Sequence, residues 1–140
     1  MISDPIALQE LKKSWNGVRE LRSKVQRGVL GSFAQGASAI ILIADIAHNL
    51  PFIHACSVLN EALLQLRDEK HFTCKHFFLG ALMDASKAQL PWADFKLVKE
   101  GVDRRNDIAH RGDIISRSEC WKYIDAIERE LVKWKIVDPQ

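Results

Sequence analysis

The chain has 140 residues, of which 47% are hydrophobic and 27% are charged, and its formal net charge is +2. This composition is ordinary for a globular protein, and the length predicts one domain over residues 1–140 with a real hydrophobic core. A charge of +2 is too small to demonstrate a nucleic-acid partner, although a local basic patch can coexist with a nearly neutral total.

Cysteine content and the start of the chain both favour a reducing, cytoplasmic setting. The three cysteines are scattered and odd in number, which does not suggest a disulfide framework. Residues 1–10 lack the basic region and apolar run of a signal peptide. The most apolar segment, 37–47, is too short to span a bilayer and contains Asp45, so a buried helix explains it better and no membrane partner is expected.

The first predicted helix begins at Ser3-Asp4-Pro5, a capping side chain followed by proline in the first turn. Its apolar residues recur at three- and four-residue steps: Leu8, Leu11, Trp15, Val18, Leu21 and Val25. Gly28 and Gly31 are suitable residues for its end. The opposite face is basic and either contacts phosphate or simply faces water: Lys12, Lys13, Arg19, Arg22, Lys24 and Arg27.

Three further helices are predicted before residue 90. The second covers 32–49 and is apolar on nearly every side, which favours a central position. Pro51 then forces a break or kink, and the third helix runs to about Glu69. The fourth begins near Thr73, a good capping residue, with these side chains facing inward: Phe77, Phe78, Leu79, Leu82 and Met83.

The last two predicted helices flank a short turn. The fifth covers 91–110, and Gly112-Asp113 forms the turn after it. Ser116 and Glu119 form a capping box for the last helix, whose apolar residues are Trp121, Ile124, Ile127, Leu131 and Trp134. Strand patterns are absent and the connections are short. The sequence therefore predicts an all-α fold, an antiparallel bundle of five to six helices.

The densest polar cluster, residues 104–112, lies at the end of the fifth helix. Upstream, an apolar stripe is marked by Trp92, Phe95, Val98 and Val102. At roughly 100° per residue, the stripe continues through Arg105 and Ala109. Asn106 falls at its edge with His110 one turn further on, whereas Arg104 points towards solvent. A guanidinium on a buried stripe is costly unless it is paired or faces a cleft, so Arg105 is the leading candidate for a functional residue.

An arginine with a nearby histidine suits RNA cleavage by transesterification. Histidine is the side chain whose unperturbed pKa lies nearest neutrality, so a residue such as His110 can move the proton of the 2′-hydroxyl or of the leaving group. The guanidinium of Arg105 can clamp the phosphorane oxygens as negative charge builds. Asn106 can hold the imidazole tautomer or a phosphate oxygen. This chemistry needs no metal and no cofactor.

The segment from Arg105 to His110 resembles the signature of the HEPN superfamily. That signature is an arginine, usually followed by a polar residue, four to six positions before a histidine near the end of a helix in an all-α bundle. The match is specific over about 98–134, and elsewhere the chain agrees only in being helical. Both Arg104 and Arg105 fit the spacing, and the position on the apolar stripe favours Arg105, as does Asn106 beside it.

The resemblance implies a metal-independent endoribonuclease of the kind found among toxins and antiviral effectors. Arg105 and His110 would be the catalytic pair, with Asn106 beside them and Arg104 and Arg111 as further contacts to RNA. HEPN proteins commonly dimerise so that two motifs share one composite site. We therefore expect a homodimer through the Arg105/His110 face and, for a toxin, an antitoxin-type protein partner.

Two other interpretations of the motif stay open. Other HEPN proteins have lost cleavage and act as modules that bind a nucleotide, RNA or a partner protein. Alternatively, the bundle is purely structural: Arg105 would pair with a core carboxylate such as Asp45 or Glu61, and His110 would cap the helix end. Glu61 and Asp45 are also the candidates for orienting Arg105 or His110 from behind.

The remaining polar clusters favour structural roles. Asp45 and His48 are three residues apart on an apolar helix, which favours an internal polar network over a catalytic pair. Another cluster contains His71, Cys74 and His76, but no fourth ligand is evident and the spacing matches no familiar zinc pattern. Cys56 and Cys120 lie on apolar faces and are expected to be inert core residues. The tryptophans are expected to pack in the core or a dimer interface: Trp15, Trp92, Trp121 and Trp134.

Overall fold

The computed structural model describes residues 1–27, 47–112 and 114–140, and this part of the chain is all-helical, as predicted. Its five helices are α1 (Pro5–Gln26), α2 (Asn49–Asp68), α3 (Leu79–Ser86), α4 (Phe95–Arg111) and α5 (Arg117–Lys133). The predicted helix over 32–49 falls almost entirely outside the described residues, as do Asp45, Gly28, Gly31 and Asp113. No helix in the described ranges combines the length and apolar composition that crossing a bilayer requires.

Helix α2 is the centre of the described structure, because it packs against each of the other four helices. Its apolar residues are almost completely buried, and the core that they form extends into α1 and α5. The tryptophan prediction holds for Trp15 and Trp134, which are fully buried, whereas Trp92 and Trp121 are half-buried at the edge of the core. The core therefore consists mainly of residues far apart in sequence that meet on α2.

Two predicted helix starts are confirmed by their capping contacts. The Asp4 carboxylate accepts hydrogen bonds from the N–H groups of Ile6 and Ala7, at 2.9 and 3.3 Å, and Pro5 is the first helical residue of α1. The Ser116 hydroxyl accepts from the Glu119 N–H at 3.3 Å at the start of α5. Pro51 marks the start of a helix, as predicted, and the helix predicted before it falls almost entirely outside the described residues. Pro51 lies in the first turn of α2, where its missing N–H removes no helical hydrogen bond.

The prediction of a helix from Thr73 was wrong, because α3 begins only at Leu79. The inward-facing prediction holds for Leu82 and Met83, which are fully buried. It fails for Phe77 and Phe78, which are 69% and 62% exposed. The two rings precede the helix, and the exposed pair is the largest departure of the structure from the sequence pattern.

Helix α4 starts later than predicted, at Phe95 rather than Pro91, with Asp94 as its N-cap. It packs tightly on α5 at Gly101, since a Cβ atom there would lie 2.8 Å from Cγ of Tyr123. The last turns also differ from the predicted stripe: Ile108 is half-buried against the core and Ala109 is exposed. The buried side of α4 thus passes from Val98 through Gly101 towards Arg105 and Ile108.

Candidate active site at the end of helix α4

The predicted motif occupies the last two turns of α4, and both ends of this helix are fixed by hydrogen bonds. At the start, the fully buried carboxylate of Glu130 accepts from the N–H groups of Ala93 and Asp94 at 2.7–2.9 Å. At the end, Gly112 adopts a left-handed conformation (φ 67°) and donates its N–H to the carbonyl of Ile108 at 3.2 Å. Glycine suits this position because it has no Cβ to oppose a positive φ.

The loop after α4 is held against the start of α2 by two buried side chains. The imidazole of His48 hydrogen-bonds through Nε2 to the carbonyl of Ile115, and the N–H of Ile115 donates to Oδ1 of Asn49 at 3.3 Å. His48 therefore has a buried hydrogen-bond partner, which favours its predicted structural role. Asp45, with which it was predicted to form a polar network, lies outside the described residues. These contacts fix the position of the helix end that carries the motif.

Arg105 is half-buried and lines a groove of about 360 Å³ between α2, α4 and the segment before α3. The other side chains around this groove include Cys56, Ser57, Asn60, Glu61 and Phe78. Its position beside α2 agrees with the sequence prediction that Arg105 lies on the inner face of its helix. Neighbouring Asn106 is also half-buried, and its amide oxygen lies 3.4 Å from Nη1 of Arg105.

The two candidate arginines differ in their charged partners. Arg104 pairs with Asp107 at 3.3 Å and with Glu119 of α5 at 3.6 Å, so it is not the free solvent-facing cation that the helical wheel predicts. Asp107 thus pairs with Arg104, three residues before it on the same helix. Within the described residues, Arg105 forms no ion pair. Glu61 lines the same groove but does not pair with Arg105.

His110 and Arg111 are both exposed in the last turn of α4, and neither lines the groove of Arg105. His110 lies five positions after Arg105, which on a helix is a rise of about 7.5 Å and a rotation of about 140°. The two side chains therefore leave α4 in different directions. One copy of the chain does not gather Arg105 and His110 into a single pocket.

Burial behind the groove suppresses thiol chemistry. Desolvation raises the pKa of Cys56 to about 12, and the positive charge of Arg105 opposes this only partly. Burial also raises the pKa of Cys120 to about 12, with the charge of Glu119 adding to the effect. A thiol is a poor nucleophile until it ionises, so neither residue is suited to catalysis at neutral pH, in agreement with their predicted core roles.

These raised thiol pKa values predict a loss of stability in alkaline solution. Cysteines of the unfolded chain ionise with a pKa near 9.0, whereas Cys56 and Cys120 stay protonated in the native state up to a pKa of about 12. The two thiols contribute fully to the free energy of unfolding at pH values below the pKa of the unfolded chain. This contribution is lost as the pH rises from that value through the pKa of the native state. Urea denaturation across this alkaline range should show the decline. A Cys56→Ala/Cys120→Ala double variant should show a shallower one, and equal slopes would contradict the prediction.

No family model, no curated protein and no solved structure matches this chain.

Two residues of the groove, Asn60 and Phe78, were missed by the sequence prediction. Asn60 lies one turn after Cys56 on α2, and this polar residue at the edge of an apolar face was the available signal. Phe78 gave no such signal, because the sequence predicted it as an inward-facing residue of the fourth helix. Only the packing of α2 against α4 and the segment before α3 brings both beside Arg105.

The other predicted clusters have structural partners. His71 hydrogen-bonds through Nε2 to the carbonyl of Met1 at 3.0 Å, and Cys74 contacts the carbonyl of Ala81 at 3.7 Å. Within the described residues, no group of three His, Cys, Asp or Glu side chains is arranged to hold a metal ion. On the basic face of α1, Arg19 and Arg22 pair with Glu128 and Asp125 of α5, both at 2.5 Å. These pairs favour a structural role for that face over phosphate binding.

Proposed function

We propose that this protein is a metal-independent endoribonuclease of HEPN type. The observation that carries the proposal is the contrast between the two arginines at the motif. Arg104 is engaged by two carboxylates, whereas Arg105 is half-buried at a groove and has only the amide of Asn106 as a described partner. A partly desolvated guanidinium beside a groove is well placed to receive an anion such as an RNA phosphate.

Arg105 would stabilise the charge that builds on the phosphate during cleavage. Its planar guanidinium can donate two parallel hydrogen bonds to the non-bridging oxygens of a phosphorane, and partial burial strengthens that interaction. Asn106 would orient the guanidinium or a phosphate oxygen.

His110 would move the protons. One neutral imidazole accepts the proton of the 2′-hydroxyl while that oxygen attacks phosphorus. An imidazolium donates a proton to the departing 5′ oxygen as the phosphorus–oxygen bond breaks. The products are a 2′,3′-cyclic phosphate and a 5′-hydroxyl. The exposure of His110 in the last turn of α4 leaves it accessible to a bound strand.

A composite site between two copies would supply what one copy lacks. Arg105 and His110 point away from each other on α4, so a two-fold partner would bring its own His110 towards the first copy's Arg105. Exposed Ile114, directly after the motif, offers apolar surface for such a contact. In this arrangement Arg111 lies at the edge of the site and contributes positive charge, whereas the charge of Arg104 is already offset by Asp107 and Glu119.

The same divergence of Arg105 and His110 also favours a second candidate function, a non-catalytic HEPN-like module that binds a nucleotide, RNA or a partner protein. Such a module would use the groove and Arg105 for binding and would not require His110. The two functions therefore differ in whether they require His110.

The deciding experiment incubates purified protein with mixed cellular RNA in EDTA. A nuclease of the proposed type cleaves without metal and leaves ends with a 5′-hydroxyl, which polynucleotide kinase labels directly. A preparation from cells without the expression plasmid controls for contaminating ribonuclease. Intact RNA across buffers and RNA classes, together with retention of RNA by the protein, would favour the binding module instead.

A further inference from the structure

We infer that the groove beside Arg105 is a subsite for one unstacked nucleobase of single-stranded RNA, which stacks on Phe78 and hydrogen-bonds to Asn60. The inference rests on the proposed RNA-directed function and specifies which part of the substrate the groove receives. Its volume of about 360 Å³ falls in the usual range for small-ligand sites.

Phe78 supplies the stacking surface. The ring is 62% exposed although phenylalanine is normally buried, and it lines the groove that Arg105 also lines. The imidazole of His76 packs against the Phe78 ring, and the two ring centroids are 5.2 Å apart. Proteins that read single-stranded RNA typically stack splayed bases on exposed aromatic rings of this kind.

Asn60 supplies an unused hydrogen-bond acceptor. Its Oδ1 is buried and accepts no hydrogen bond from the described residues, and the side chain lines the groove. A buried acceptor without a donor is costly, so a turn of the amide that presents its oxygen to a base N–H in the groove would recover that cost on binding. An asparagine amide matches adenine particularly well, because it can accept from the exocyclic N6 amine while it donates to a ring nitrogen.

The positions of the side chains around the groove indicate that the phosphate and the base bind at different places in it. Cys56 lies close enough to Arg105 for the guanidinium to influence its thiol, and Asn60 is one turn further along α2. Glu61 lies beside Asn60 and is exposed, and its negative charge repels phosphate but not a neutral base. The phosphate therefore belongs at Arg105 and the base beside Asn60 and Phe78.

The test measures binding in a His110→Ala background, so that cleavage does not destroy the ligand. Fluorescence anisotropy would compare a labelled adenine oligoribonucleotide with a chain of abasic ribose phosphates of the same length. Phe78→Ala should weaken binding of the adenine ligand roughly tenfold, the usual effect of losing one base–aromatic stack. Asn60→Ala should weaken it about threefold or more, and neither change should affect the abasic chain.

Phe77→Ala is the matched control. Phe77 is equally exposed, at 69%, but its ring packs under the guanidinium of Arg67 and does not line the groove. Equal effects of Phe77→Ala and Phe78→Ala, or equal losses on the adenine and abasic ligands, would overturn the subsite. If wild type cleaves RNA and Phe78→Ala cleaves it equally well, the subsite is overturned but the proposed nuclease activity is not. If binding depends on Phe78 but wild type does not cleave RNA, the subsite is supported and the proposed nuclease activity is contradicted.

Discussion

Arg105→Ala is expected to lower RNA cleavage by about 10²–10³-fold while the protein stays folded, as is usual when one donor to a developing oxyanion is removed. The guanidinium is half-buried at the groove, so water replaces it poorly in the transition state. His110→Ala should reduce cleavage by a comparable or larger factor because it removes the group that transfers protons. Initial rates on a defined RNA in EDTA, with circular dichroism to verify folding, measure both effects.

Arg104→Ala is the matched control, since it removes the same side chain from the adjacent position. It breaks surface ion pairs with Asp107 and Glu119, whose side chains are all about one-third exposed, and should cost no more than about 1 kcal/mol of stability. A larger loss of cleavage in Arg104→Ala than in Arg105→Ala would reverse the assignment of the motif. A purely structural Arg105, paired for instance with Asp45, would instead show itself as a large loss of stability.

Local sequence signals predicted the helices well where the contacts that define them are local. Asp4 with Pro5 and Ser116 with Glu119 are capping pairs within one turn, and both were found as predicted. The end of α2 at Asp68 also agrees with the prediction. Such signals succeed because the chain must satisfy its first free N–H groups nearby.

The segment before α3 was mispredicted because tertiary contacts override its helical pattern. Arg67 of α2 donates a hydrogen bond to the carbonyl of His76 at 3.0 Å, and its guanidinium covers the ring of Phe77 at 4.7 Å. The N–H of His71 also bonds back to the carbonyl of Leu66. The bond from Arg67 occupies a carbonyl that a helix from Thr73 would have used for its own hydrogen bonds. Nothing in the local sequence distinguishes the two outcomes.

The candidate site was predictable only along its own helix. The spacing on α4 correctly placed Arg105 on the side that faces α2, because helical geometry fixes that direction. It could not show that Glu119 of α5 binds Arg104, or that Asn60 and Phe78 border the groove with Arg105. Those neighbours depend on how α2, α4 and α5 pack. Residues 27 or 45 positions apart that line one groove, such as Arg105 with Phe78 or Asn60, leave no periodic signal in the sequence.

Glu130→Ala is expected to destabilise the protein by about 2–5 kcal/mol, which is large for one side chain. The carboxylate is fully buried on α5, and both of its oxygens accept hydrogen bonds from the N–H groups of Ala93 and Asp94. Truncation leaves these two donors unsatisfied and opens a cavity beneath the start of α4. Urea denaturation monitored by tryptophan fluorescence measures the change in the free energy of unfolding.

Asp125→Ala is a suitable comparison because it removes an acid from the same helix. Asp125 is about half exposed and pairs with Arg22, so its loss should cost less than about 1 kcal/mol. Glu130→Gln should fall between the two variants, since an amide oxygen can still accept one of the bonds. Because Glu130 positions the helix that carries Arg105 and His110, its loss should reduce RNA cleavage even where most of the protein remains folded. If Glu130→Ala is no more harmful than Asp125→Ala, the buried carboxylate does not anchor α4.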